Sequence, residues 1–420
     1  MILRIQKNKL LVNMFYGLLL FSIIGYTGYY LYTFSNNINV YNNFSAVSID
    51  SFPINIIAVL IKFLKDILFI CLLVLCVQTK TPNVKKMMLL FFFFVLYGAI
   101  IAIPNGDFFS VLSGIRGYLY FFILILYFFE IKSCPLSLTI VRNIILMGLL
   151  ITCIVTFEQA FRGTDGLIFL AGMGGYRFTG LFGGFAPCSA FAAAACLFFY
   201  VYSVHFPLSK KIVVLILASS LLVELMCGSR SGAICVILIL YVWLFKILPV
   251  KKIYKYFAVA STLVFVLVGI IKLVEMFANR GSILAVQIES GRIAIFNYVV
   301  DAIFQDPFTF MFGYGLGSGS NTSVLLGNVD SSLGTSLILD GTFNIILYQF
   351  GMLGVLVLII FLLIMWLKLK KVFFDEKLLF WGITFVECLT GNVFESFAFL
   401  IIMFVIYKIM CSPNYFRTNF

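Results

Sequence analysis

Apolar residues occupy this chain in long blocks separated by short polar punctuation. Residues 87–103 and 342–367 are the clearest blocks, on the scale of the ~18 apolar residues that a bilayer-crossing helix needs. Lipid offers no water to exposed N–H and C=O groups, so these runs must bond within themselves as helices. The blocks predict about twelve spans: 11–33, 54–77, 87–103, 111–129, 141–160, 186–204, 212–228, 231–248, 257–275, 342–367, 378–391 and 395–411. The expected fold is an all-α polytopic membrane protein, with residues 1–420 as a single integral membrane domain. The first block follows Arg4, Lys7 and Lys9. Its apolar part is too long for a signal peptide and no small-residue cleavage site follows it, so it reads as a retained anchor.

Composition strengthens this reading. The chain is 63% hydrophobic and 11% charged, which no soluble interior accommodates. The net charge of +12 is spread over short loops between spans, so it sets topology and is not a nucleic-acid footprint. With both termini cytoplasmic, the inner loops hold Lys80, Lys85, Lys86, Lys132, Lys210, Lys211, Lys246, Lys251, Lys252, Lys255, Lys368, Lys370, Lys371 and Lys377, and the outer loops hold no lysine. Lys62, Lys65 and Asp66 strain this scheme, because they fall inside the second span; mutual neutralisation of Lys65 and Asp66 is one resolution, and a position at the outer interface is another. The eleventh span is short and contains Glu387. The ten cysteines are scattered through the spans and read as small packing residues. With a single histidine, His205, a multi-histidine metal site is excluded and no cofactor is expected.

Three outer segments stand out: 34–53, 161–185 and 276–341. The last is a single loop far longer than ordinary connections, and such loops are usually functional. The outer face carries positive charge only as arginine: Arg162, Arg177, Arg230, Arg280 and Arg292, with Arg116 near the outer end of the fourth span. A guanidinium fork grips phosphate with two parallel hydrogen bonds, where lysine offers a compact hydrated charge. The set therefore points to recognition of phosphate or carboxylate. Pairing with Asp165, Glu289, Asp301 or lipid headgroups explains any one of them equally well.

Arg292 follows Ser290 and Gly291, a helix start with serine as its cap. Ile293, Ile295, Phe296, Val299, Val300, Ile303 and Phe304 then recur at mainly helical spacing until Asp306–Pro307. This predicts a short amphipathic helix at the interface, with Arg292 in its anion-favouring first turn. "FGYGLGSGSN", 312–321, lacks the Gly-Lys-Ser/Thr of a nucleotide-binding P-loop and reads as a flexible loop beside the substrate. "CGSRSG", 227–232, predicts a tight turn between two spans, where Arg230 holds an anion or reaches headgroups. Asp340 opens the tenth span, as a base toward a sugar hydroxyl or as a helix cap. Glu158 and Glu289 are rival bases. Glu224, inside a span, reads as part of a polar network, and His205 as a loop residue on the cytoplasmic side. The outer-face tyrosines Tyr176 and Tyr314 are suited to stacking on sugar rings.

Taken in order, "YRFTGLFGGFAP", "GSRSG", "SGRIAIF" leading to "FGYGLG", and "DGTFNIILYQFGMLG" resemble the O-antigen polymerase and O-antigen ligase superfamily of bacterial inner membranes, over roughly residues 175–367. Ligases of that family carry a histidine at the start of the helix ending in Gly-x-x-Gly. Counting back from Gly351 and Gly354, Asp340 stands there, so the chain resembles the repeat-unit polymerases, the Wzy class. The resemblance implies a C-type glycosyltransferase-like fold and undecaprenyl-diphosphate-linked repeat units as substrate. It also implies work at the periplasmic face, membrane lipid as surroundings and a chain-length regulator as partner. By motif it carries over Arg177 and Arg292 as catalytic, with Asp340 beside them. Arg162, Arg230 and Arg280 then fall to the diphosphate and sugars, and Arg280 and Gly291 have the Arg-x10-Gly spacing of some polymerases. A diphosphate leaves with developing negative charge, which preplaced arginines stabilise most in the transition state; no metal is required. Two other readings stay open: ligation of finished glycan to lipid A core, and a flippase for the same lipid-linked units. A flippase predicts repeated halves, broken helices and charges near the midplane; no internal repeat is found, and the arginines lie on one face.

Overall fold

The computed structural model describes residues 2–25, 56–78, 82–102, 108–130, 136–162, 178–182, 185–247, 292–319, 341–369, 372–394 and 396–411. Among them the chain is all-helical, without a strand. α1 covers Ile2–Ile24, α2 Ile56–Val77, α3 Pro82–Ala102, α4 Phe108–Ile125 and α5 Leu138–Arg162. α6 covers Phe185–His205, α7 Lys210–Cys227 and α8 Arg230–Ile247. The later helices are α9 Arg292–Ile303, α10 Pro307–Phe312, α11 Thr342–Lys368, α12 Phe374–Thr390 and α13 Phe397–Cys411. α4 runs on into a π-helical turn, Leu126–Glu130, and a 3-10 turn, Gly180–Phe182, precedes α6.

Each predicted span has a helix at its place except 257–275, which lies outside the described residues, as do segment 34–53 and most of loop 276–341. Among the described residues, four helical stretches are long and apolar enough to cross a membrane: Val84–Ala102, Leu138–Phe161, Ala186–His205 and Thr342–Lys368. Shorter apolar helices accompany them at Asn8–Ile24, Gly114–Phe128, Ser231–Trp243 and Phe397–Cys411. The chain has the build of a helical membrane protein. Its exposed large side chains are apolar along whole helix faces, as at Leu89, Leu90, Phe92 and Phe93 of α3, which is the surface lipid requires.

α6 is the axis. It packs against α5, α7, α8, α12 and α13, and its residues from Cys188 to Tyr202 are all buried. The sequence there explains the position. Ala190 and Ala192–Ala195 present almost no side chain, so neighbouring backbones approach closely. In lipid that close packing drives helix association, because apolar burial gains nothing over contact with acyl chains. The buried cysteines, Cys188, Cys196, Cys227, Cys235 and Cys388 among them, are free thiols in this packing.

α11 is broken. At Gly351 the backbone turns to φ 59°, ψ −156°, so the carbonyls of Tyr348 and Gln349 lose their intrahelical donors. The segment 313–319 supplies replacements: Tyr314 N–H donates to Tyr348 O and Gly315 N–H to Gln349 O, both at 2.9 Å. On its other side Leu316 N–H donates to Gly98 O of α3 at 3.0 Å. The segment is thus wedged between α3, α4 and α11. A Cβ on Gly315 would lie 2.3 Å from Ala102 N, and one on Gly351 2.6 Å from the carbonyl carbon of Met311. The glycine-rich stretch, expected as a flexible loop, is a buried backbone clasp.

Gly351→Ala should be poorly tolerated. Left-handed backbone costs an L side chain ~1–2 kcal/mol, and backbone contact at 2.6 Å adds to it. The expected result is a melting temperature in detergent several degrees below that of the wild type and a reduced monodisperse yield. A wild-type melting curve would contradict the clasp.

Candidate functional site

The ends of α5, α7 and α12 and the beginnings of α6, α8, α11 and α13 meet at one end of the bundle. Three contacts fix its two halves, and the proximity of Glu387 on α12 to Glu224 on α7 joins them. Phe178 N–H, next in the chain after Arg177, donates to Met226 O near the end of α7 at 3.1 Å. Gly180 N–H donates to Gln159 Oε1 at 3.0 Å, joining the same segment to the end of α5, where Arg162 is the last residue. Thr342, two residues after Asp340, bonds to Gly391 O through its N–H (3.1 Å) and its hydroxyl (2.9 Å), while Val393 N–H donates back to that hydroxyl at 3.0 Å.

The Cys227–Gly232 stretch forms the predicted tight turn. Gly228 closes α7 by donating to the carbonyls of Glu224 and Leu225, and α8 opens two residues later. Ser229 accepts from Gly232 N–H at 3.2 Å, so Arg230 is the first residue of a side-chain-capped helix. Beneath this turn Ser189 Oγ donates to Glu224 Oε2 at 2.6 Å, and Glu224 is wholly buried. Glu387 lies within electrostatic range of Glu224. A Cβ on Gly232 would lie 2.0 Å from Ser189 Oγ and 2.2 Å from Glu224 Oε2, so only glycine lets α8 cross here. Glu224 therefore belongs to a polar network, as expected. Its partner Ser189 carries no motif that marks it in the sequence.

Arg292 is the first residue of α9, at the place where the apolar spacing predicts a helix start. α9 packs on the early turns of α11 through Val299, Ile303 and Ile345. It ends at Ile303, and Asp306 then caps a separate short helix, α10, with Pro307 at its first position. Hydrogen bonds from the Thr309 hydroxyl and then the Thr309 N–H hold the Asp306 carboxyl below the usual carboxylate range. Tyr314 lies in the clasp: its hydroxyl donates to Ala302 O at 3.0 Å, and its ring stacks on Tyr348 with centroids 4.6 Å apart. Arg177, Tyr176, Arg280 and Asp340, with Ser290, Glu289 and Asp165, lie outside the described residues, as do the side chains of Arg162, Arg230 and Arg292. The N-cap of α11 is Gly341, not Asp340.

Several charged residues are accounted for by pairing. Arg116 Nη2 lies 2.9 Å from Asp66 Oδ2, and its Nε donates to Tyr120 OH at 3.0 Å; Tyr120 in turn donates to Asp66. Lys65 is buried, 4.1 Å from the centroid of the Phe397 ring. Asp66 thus pairs with Arg116 across α2 and α4. His205 is the last residue of α6, not a loop residue, and its Nε2 lies 3.3 Å from Glu376. At that opposite end Lys408 Nζ donates to Phe128 O, and Lys210, Lys368 and Lys377 also stand at helix ends there. No group of three His, Cys, Asp or Glu suited to a metal occurs among the described residues.

No family model matches the chain, and no curated protein matches it.

The Asp306 cap gives a pH test. A lowered carboxyl contributes its capping bonds at and above the ordinary carboxylate range and loses them as pH falls through its folded value. Hydrogen exchange at Thr309 N–H, corrected for its intrinsic rate, should speed up on acidification. In Asp306→Ala it should already be fast at neutral pH. Unchanged protection in that variant would contradict the cap.

Proposed function

We propose that the protein is an inner-membrane polymerase of undecaprenyl-diphosphate-linked oligosaccharide repeat units, of O-antigen or a related surface polysaccharide. It transfers the growing chain from its lipid diphosphate to the next lipid-linked unit. In this reading about twelve spans place both termini in the cytoplasm, and 276–341 forms the periplasmic loop. The observation that carries the reading is the convergence at one end of the bundle. The chain immediately after Arg177 and after Asp340 is bonded to the ends of α7 and α12, and Arg162 and Arg230 end and begin helices there. Lysines gather at the other end, which supports the cytoplasmic assignment of that face.

The chemistry follows from these residue types. Arg177 and Arg292 neutralise the departing diphosphate; Arg162, Arg230 and Arg280 hold its oxygens and the sugars. Asp340 accepts the proton of the acceptor hydroxyl as that oxygen attacks the anomeric carbon. The glycosyl–phosphate bond breaks and the diphosphate leaves with the electron pair. Tyr176 flanks the sugars; Tyr314, expected beside them from the sequence, is instead held in the clasp by Ala302 and Tyr348, and a chain-length regulator is the partner that this activity calls for. No metal and no organic cofactor take part.

Arg292→Ala, expressed at normal level, should leave single repeat units on the surface glycolipid, and Arg292→Lys should also be impaired, because a point charge cannot make the two-pronged contact. Long ladders on a gel from Arg292→Ala cells would reject the catalytic role. Full activity of Arg292→Lys would reduce it to simple charge.

A further inference from the structure

We propose that the cavity between α6, α7 and α8, at the lysine-rich end, binds the headgroup of an anionic phospholipid. This cavity, of about 390 Å³, is lined by Tyr200, Ser203, Leu208, Lys210 and Trp243 among others. It lies at the end of the bundle opposite the arginine segments and takes no part in the proposed transfer.

Three features select a phosphate-bearing headgroup. Lys210 is exposed on the cavity wall and supplies a full positive charge, with Lys211 beside it. Lys210 is also the first residue of α7, whose cap satisfies Ile212 N–H from Ser209 at 3.4 Å. The other first-turn N–H groups and the helix dipole add to the attraction for an anion. Trp243, on the same wall and 1% exposed, has an Nε1–H with no acceptor among the described residues. A buried indole N–H normally finds one, and in this proposal a headgroup oxygen supplies it.

Of the α12 carboxylates at this end, Asp375 accepts from the OH of Tyr200 on the cavity wall and Glu376 pairs with His205; Lys210 and Lys211 outnumber the Asp375 charge there. The surroundings distinguish a lipid from a free anion. Beyond Lys210, the exposed face of α7 continues one turn on in Val214, with Leu215 beside it. This is an apolar track for acyl chains running from the cavity into the bilayer. The net charge of +12 favours an anionic over a zwitterionic headgroup.

The test uses the purified full chain in detergent and measures its affinity for phosphatidylglycerol, phosphatidylcholine and glycerol 3-phosphate. The expected result is tightest binding of phosphatidylglycerol. Lys210→Gln and Trp243→Phe should each weaken it about tenfold, the scale of one hydrogen bond to a charged group. Lys210 is at an exposed helix start, so its replacement leaves the fold intact, and Trp243→Phe keeps an aromatic ring in the wall. Equal affinity for the two lipids, unchanged affinity in both variants, or glycerol 3-phosphate binding as tightly as the lipid would each overturn the proposal.

Discussion

A helix broken inside an apolar environment must have its freed backbone groups satisfied by protein, since lipid supplies no partners. That constraint organises this molecule around Gly351. The carbonyls of Tyr348 and Gln349 accept from Tyr314 and Gly315, so α11 and the segment 313–319 are complete only together. The same segment is bonded to α3 through Gly98 and touches α4 at Gly114, where a Cβ would lie 2.6 Å from Gly317 N. Because α9 and α10 lead directly into it, the clasp also fixes where the helix opened by Arg292 lies on α11. The stretches "FGYGLG" and "YQFGMLG" are two halves of one device.

A second constraint acts at the arginine-bearing end. Close approach of α6, α7 and α8 buries a carboxylate, Glu224, and burying a charge or polar group is costly without a partner. Ser189 supplies one partner, and Gly232 leaves room for the pair. The turn above is held by Ser229 and the Phe178 N–H bond. A rigid, backbone-fixed rim of this kind suits a site that must hold a diphosphate without reorganising, which is where electrostatic stabilisation is strongest.

Much of this was legible in the sequence. Lipid-length apolar runs have one structural solution, so helices stand at nearly all the predicted places. The α9 start at Arg292 follows from apolar spacing, and the tight turn at Gly228 follows from small residues between two runs. Tertiary pairing was not legible. Asp66 sits beside Lys65 in the chain, and nothing in the sequence marks Arg116, from another helix, as an ion-pair partner for it. His205 has a loop-like neighbourhood of lysines, yet it closes α6 against Glu376. Glycine in 312–321 reads equally well as mobility or as close backbone approach, and only the break in α11 decides between them. Nor does Ser189 stand out among the small residues of α6.

The account as a whole rests on transfer from a lipid diphosphate at the arginine-bearing end. Purified protein reconstituted in liposomes with undecaprenyl-diphosphate-linked repeat units tests this most directly. The account predicts release of undecaprenyl diphosphate in step with lipid-linked chains of two or more units, without added metal or nucleotide. Units carried across the bilayer with no diphosphate released, or joined only when a lipid A core acceptor is present, would contradict it.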